Sequence, residues 1–279
     1  MKLNTLFAFA LAATVSAAPL HEPREQPHNQ KNDQYEYRPV TKLDEGTLQV
    51  TDNDDPPKHT PHVYESKNWS GAVLKNQPEE RYIYTSVRGR FTVPSVQYHG
   101  SHHKDESAAI WIGIDGFPDG TSMLQAGVSI TVPEKGPVKY EIGVEWYPEP
   151  LQKLSYFPIH AGDVISIDIV ANTSTTGTII VDNESRGELA RIPMQAPAKE
   201  PGENYWLMGQ SVEWIVEDFQ HPLANFSEVV FYNASAETSF YETVTLSEAD
   251  VIILKPRQSE SLSQVSIDSD SQLTVRYRG

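Results

Sequence analysis

From Tyr64 to the C-terminal end the chain is a succession of short runs rich in Val, Ile, Tyr, Phe, Trp and Thr. They read NWSGAVL, RGRFTVP, AAIWIGID, MLQAGVSITVP, KYEIGVEWYP, DVISIDIVA, GTIIVDN, VEWIVED, SEVVFYNAS and QLTVRYR, and Gly, Pro, Asn, Asp or Ser separates them. Many alternate apolar with polar side chains at period two, the spacing of a strand with one buried face. No 12-residue window carries a good amphipathic helix and no internal repeat is visible. Regular strand–turn spacing of this kind predicts an all-β sandwich or barrel. The sequence has no cysteine. Disulfides, thiol catalysis and cysteine metal sites are therefore excluded, and apolar burial must hold the fold together.

The first residues differ. Lys2, the apolar run Leu6–Val15 and the small residues Val15-Ser16-Ala17 form a secretory signal peptide over 1–17. The apolar run is too short to span a bilayer, and no later segment reaches 18 apolar residues, so no membrane span is expected. The stretch that follows is rich in Pro, Gln, Asn, Asp and His and poor in apolar residues. It cannot bury enough surface to offset its ordering entropy. A pro-segment over 18–60, followed by a β-sandwich domain over 61–279, is the expected organisation. Net charge is −16; an acidic chain does not condense on phosphate, so nucleic acid is not an expected partner. Five N-x-Ser/Thr sequons, at Asn68, Asn172, Asn183, Asn225 and Asn233, fit a secretory route. Asn68 lies within a strand-like run and is the poorest acceptor of the five.

Period two also assigns faces. In MLQAGVSIT, Leu124, Ala126, Val128 and Ile130 point to the core; Gln125, Gly127, Ser129 and Thr131 point away. In YEIGVEWY, Ile142 and Val144 oppose Glu141, Gly143, Glu145 and Tyr147. In VEWIVED, Val212, Trp214 and Val216 oppose Glu213, Ile215 and Glu217. Such polar faces are either an ordinary solvated sheet surface or, given their aromatics and glycines, a ligand-binding face. Motifs for most hydrolase chemistries are missing: there is no G-x-S-x-G, no H-E-x-x-H, no Asp-Thr-Gly and no Asp-Ser-Gly. Seven of the nine histidines lie at or before His103, and neither His160 nor His221 sits in a motif. His102 and His103 read as solvated loop residues rather than metal ligands. Carboxylates helped by amides remain as the acid–base candidates.

The runs NWSGAVL, FTVPSV, AIWIGIDG, MLQAGVSI, EIGVEWYPE and VEWIVEDF, in that order, resemble the fungal glutamic peptidase (eqolisin) family. The resemblance covers roughly residues 64–254. It implies a sandwich of two curved antiparallel sheets of the concanavalin A-like lectin and glucanase type. It also implies an endopeptidase that works in acid through a glutamate–glutamine pair, with no metal and no cofactor. Carried onto this chain, the glutamine is Gln125 and the glutamate Glu213. Trp69, Trp111, Asp115, Glu145 and Tyr147 are the implied substrate-binding residues. Chemically, a Glu carboxyl can move a proton between water and a leaving amine, and a neutral Gln amide can donate to an oxyanion.

Two rivals use the same kind of sandwich: a glycoside hydrolase working with a carboxylate pair such as Glu145 and Glu213, and a carbohydrate-binding lectin. Gln125 separates them, because a glycosidase has no need of an amide there. Polypeptide substrates are the implied partners, and a secreted monomer the implied state. The polar, His-rich loop 96–107 is an exposed site whose excision would leave two non-covalent chains. From residue 66 onward 16 Lys/Arg stand against 28 Asp/Glu. This predicts stability at about pH 3–5 and loss of structure near pH 7.

Overall fold

The structure is a computed structural model that describes residues 38–39, 59–76, 82–100, 104–118, 121–198, 205–219, 222–256 and 260–279. The signal peptide expected at 1–17 lies outside these residues. So does the pro-segment expected at 18–60, apart from Arg38, Pro39, His59 and Thr60.

Seventeen strands follow in order: β1 Arg38–Pro39, β2 Val63–Ser66, β3 Trp69–Lys75, β4 Tyr84–Thr92, β5 Glu106–Ile114, β6 Met123–Val132, β7 Lys139–Tyr147, β8 Gln152–Lys153, β9 Val164–Thr173, β10 Thr176–Asn183, β11 Glu188–Gln195, β12 Ser211–Glu217, β13 Glu228–Thr238, β14 Thr243–Thr245, β15 Asp250–Leu254, β16 Ser263–Ser269 and β17 Gln272–Tyr277. A single 3₁₀ turn, Leu246–Glu248, is the helical element among the described residues. One sheet runs β1-β2-β15-β3-β12-β5-β6-β7-β8 and the other β11-β10-β9-β4-β13-β17-β16, with β14 on β13. Pairing is antiparallel except between β2 and β15. The expected all-β sandwich is therefore present.

The alternation read from sequence decides what lies between the sheets. Leu124, Ala126, Val128 and Ile130 of β6, Ile142 and Val144 of β7, and Val212, Trp214 and Val216 of β12 face inward. They meet Val87, Phe91, Ile165, Ile167, Ile169, Ile179 and Phe231 of the opposite sheet. Burying each such side chain fully contributes roughly 1.5–3 kcal/mol, which suits a fold without disulfides. The Trp214 indole N–H donates to the Arg88 carbonyl at 2.9 Å, satisfying the one polar atom of a fully buried ring.

The outer face of the first sheet is not simply solvated. Trp69, Val73, Trp111, Phe117, Met123, Ile215 and Ile252 form a second apolar cluster there, and Tyr64, Ala109 and Tyr147 pack on its border. Trp69 and Trp111 meet edge to face, with ring centroids 4.9 Å apart. The segment leading into β2 is fastened to β15. Buried Asp250 accepts hydrogen bonds from the His59 ring and the His62 backbone N–H, both at 2.9 Å, and pairs with Lys75 at 2.8 Å.

Candidate active site

The central strands β12, β5, β6 and β7 set the site by register. Glu213 lies opposite Gly113, Gly113 opposite Gln125, and Gln125 opposite Glu145. One row further, Ile215 lies opposite Trp111, then Gly127, then Gly143. Glu217 lies opposite Ala109, which lies opposite Ser129. All of these project to the outer face. The glycine at 127 is required by close packing: a Cβ there would lie 2.2 Å from the Ile110 carbonyl oxygen and 2.5 Å from the Trp111 Cβ. Without it the Trp111 ring could not lie along the sheet.

A pocket of about 50 Å³ opens on this surface. Gln125, Glu145, Glu217, Trp111, Leu151 and Phe219 are among its walls, over a floor that includes Gly127 and Ser129. Gln125 Nε2 donates to Glu145 Oε2 at 2.7 Å. Trp111 Nε1 donates to Glu217 Oε2 at 2.8 Å, and Asn68 Nδ2 donates to Glu217 Oε1 at 3.1 Å. Burial pushes the Glu217 carboxyl up to about 7, helped by the negative charge of Glu145. The indoles of Trp111 and Trp69 and the amide of Asn68 oppose the rise. Burial also raises Glu145, against the hydrogen bond from Gln125, and takes Asp218 to about 6. The pocket thus holds one carboxyl kept protonated below neutrality and one amide fixed by a second carboxyl. That is equipment for proton transfer and oxyanion stabilisation. No group of three or more His, Asp or Glu side chains that could hold a metal occurs among the described residues.

The expectation that Glu213 faces Gln125 across a groove is corrected by the packing. Glu213 is fully buried, and only Ser211 and the Phe117 backbone approach its carboxyl with hydrogen-bonding groups. Gly113 separates it from Gln125. The Ser211 hydroxyl donates to the Phe117 carbonyl at 2.9 Å, tying the turn after β5 to the start of β12. Phe117 and Trp69 of the outer cluster cover this end of the sheet. Burial, with the nearby Asp115 charge adding to it and Ser211 and the Phe117 backbone opposing it, drives the Glu213 carboxyl well above its ordinary value, and the group is sealed from solvent.

The other expected residues divide. Trp111, Gln125 and Glu145 line the pocket. Trp69 and Tyr147 belong to the adjoining apolar cluster and do not line it. Asp115 is also displaced from the role expected of it. It is buried, holds a left-handed φ of 64°, and accepts backbone N–H bonds from Met208, Gly209 and Gln210 at 2.7–2.9 Å. It fastens the segment leading into β12 rather than meeting a ligand in the pocket; burial raises its carboxyl while these donors and the Ser211 backbone pull it down. Glu217 and Asn68 were missed as site residues. The parity of VEWIVED had put Glu217 on the same face as Glu213, but parity alone does not say which end of a strand is covered.

A family model, described as the peptidase A4 family, matches residues 67–277. The chain belongs to this family. Aspergillopepsin-2 of Aspergillus niger is 32% identical over an alignment covering 99% of this chain and all of that protein. Scytalidopepsin B of Scytalidium lignicola is 28% identical, over 66% of this chain and 68% of its own length. Among solved structures, scytalido-glutamic peptidase with a peptide-based transition state analogue superposes with a TM-score of 0.61 at 26% identity. It covers 76% of this chain and 98% of that one. Aspergilloglutamic peptidase from Aspergillus niger gives a TM-score of 0.55 at 31% identity, over 62% and 99%. This peptidase A4 member is accordingly a hydrolase of peptide bonds on a β-sandwich. The rival carboxylate pair Glu145–Glu213 is not available to a sugar, because Glu213 is sealed.

Proposed function

We propose that the chain is a secreted endopeptidase that works in acid, with Glu217 and Gln125 as its catalytic pair. The observation that carries this reading is that one exposed-side pocket is lined by both the Glu217 carboxyl, held by Trp111 and Asn68, and the Gln125 amide. With its carboxyl raised to about 7, Glu217 is protonated at acid pH and starts the cycle as an acid. It gives its proton to the scissile carbonyl oxygen as water attacks the carbon. The carboxylate so formed takes a proton from the attacking water, which leaves a gem-diol and restores the carboxyl. That proton passes next to the amide nitrogen as the C–N bond breaks. The carboxylate then recovers a proton from a gem-diol hydroxyl, so the products are a free acid and an amine. Gln125 Nε2 carries two hydrogens. One is committed to Glu145, and the other donates to the oxygen on which charge develops. Gln125 stays neutral throughout, so it does not compete with Glu217 for a proton.

Trp111 and Glu145 form substrate-facing walls, Trp69 and Tyr147 belong to the apolar cluster beside them, and Asp115 holds the segment leading into β12. Leu151 and Phe219 give the pocket an apolar side. Polypeptides are the substrates. Secretion rests on the signal-like residues 1–17, and no helix among the described residues is long and apolar enough to cross a membrane. The monomer, and its conversion to two chains by excision within 96–107, are parts of the same proposal; residues 101–103 of that loop lie outside the described ones.

Denatured haemoglobin or casein at pH 3, assayed beside glucan and xylan, tests the reading. Cleavage of the proteins alone is expected. Cleavage of a polysaccharide with both proteins left intact would overturn it.

A further inference from the structure

We infer that Asn68 is a positioning residue for the Glu217 carboxyl, and that a three-member chain from Ser66 through Asn68 to Glu217 fixes the direction in which that carboxyl presents its reactive oxygen. The inference rests on Glu217 being the acid–base group.

The chain begins at the turn between β2 and β3. Ser66 Oγ accepts the backbone N–H groups of Asn68 at 3.4 Å and Trp69 at 3.1 Å. Its lone pairs are then occupied, so its own proton must be donated, and it goes to Asn68 Oδ1 at 3.3 Å. This settles which end of the Asn68 amide faces which neighbour. Oδ1 is held by Ser66, and Nδ2 turns to Glu217 Oε1 at 3.1 Å. The backbone is locked in step, because the Asp218 N–H donates to the Asn68 carbonyl at 2.7 Å. Ser66 is buried, so water does not compete strongly for the relay.

Trp111 approaches the other oxygen, Oε2, from β5. Two donors, one from the turn between β2 and β3 and one from β5, therefore hold the two oxygens of one carboxyl, and the Trp69 indole adds to them. A single donor would leave the group free to turn about its last torsion, which is broad for glutamate. Together they fix its plane, as proton transfer at both ends of a scissile bond requires. The titratable groups facing this carboxyl are Glu145 from β7 and, next along the chain, Asp218; Lys153 already pairs with Glu141 at 2.7 Å. A neutral donor at position 68 suits that setting, where a third carboxylate would not. Asn68 also begins the sequon Asn68-Trp69-Ser70. A glycan would be attached through Nδ2, the atom that meets Glu217, so the working enzyme carries this asparagine unmodified.

The test compares Asn68→Ala, Asn68→Asp and Glu217→Gln as full chains matured in acid, with kcat and KM on denatured haemoglobin from about pH 2.5 to about pH 8.5 and folding checked by near-UV circular dichroism at each pH. Asn68→Ala is expected to lower kcat roughly 10- to 100-fold, the factor that one hydrogen bond to a charged group represents. KM should stay within about twofold, and the alkaline limb of the profile should move upward, because a donor to the carboxylate is lost. A loss of folded enzyme would lower the rate without moving that limb. Asn68→Asp is expected to regain part of the loss near pH 3, where the new carboxyl is protonated and can donate, and to fall to the alanine level as it ionises. Wild-type kcat with an unmoved limb in Asn68→Ala, or an aspartate variant no better than the alanine one at pH 3, would overturn the inference. If Glu217→Gln itself keeps the wild-type rate, the underlying reading of the site has failed instead.

Discussion

The two glutamates of β12 share a strand and a face, yet the fold treats them oppositely. Glu213 sits where the turn after β5 folds back, beside Asp115, with Ser211 and the Phe117 backbone as its polar neighbours and no opening to solvent. Glu217, four residues on, has a donor for each oxygen and an opening to solvent. Both carboxyls are raised by burial, but only Glu217 lines the open pocket. A perturbed carboxyl is therefore not by itself a catalytic one. Access and donors decide, and they are set by which loop crosses each end of the sheet.

Predictions that would break or sharpen this contrast can be ranked by size. Glu217→Gln should reduce kcat by at least about 1000-fold while leaving the melt at pH 4 near that of the wild type; a steady-state assay on denatured haemoglobin decides it. Gln125→Ala should cost roughly 100- to 1000-fold in kcat, the range for losing one oxyanion donor. A change confined to KM would place Gln125 in binding instead.

The third prediction concerns stability. Glu213, Glu217, Asp218, Glu145 and Asp115 all have carboxyls raised in the folded state. The folded protein therefore binds these protons more tightly than the unfolded chain, whose carboxyls titrate near 4. Stability from this source is complete below about pH 4 and declines as pH rises through 6 and 7. Melting temperature should fall by on the order of 5–15 °C between pH 4 and pH 7.5. Glu213→Gln, which cannot ionise, should recover a few degrees at the upper end. A flat melting temperature across that range would remove the sealed carboxyl from the account. The smallest effect belongs to Glu145→Gln. It keeps an acceptor for Gln125 but removes a negative charge near Glu217, so the alkaline limb of the rate profile should shift downward with less than a tenfold change in kcat.

Much of the fold was legible because period two states a strand's faces directly. Gln125 and Glu145 were placed on the outer face of their strands by parity alone and Trp111 by the family resemblance, and the structure finds all three around one pocket. The choice between Glu213 and Glu217 was not legible. It depends on Ser211 being bonded to the Phe117 carbonyl and on Asp115 fastening Met208, Gly209 and Gln210, contacts between segments about 95 residues apart in sequence. No local pattern encodes them. Asn68 was hidden for a related reason. It reads as a sequon at the start of an apolar run, and its partner Glu217 lies 149 residues away.

The central claim is that Glu217, not Glu213, is the ionisable group that moves the proton. Its most direct test is the rate of haemoglobin digestion at pH 3.5 by Glu213→Gln and Glu217→Gln, prepared and assayed together. The account expects the first to stay within about threefold of the wild type and the second to be inactive. A dead Glu213→Gln enzyme beside a working Glu217→Gln one would contradict it.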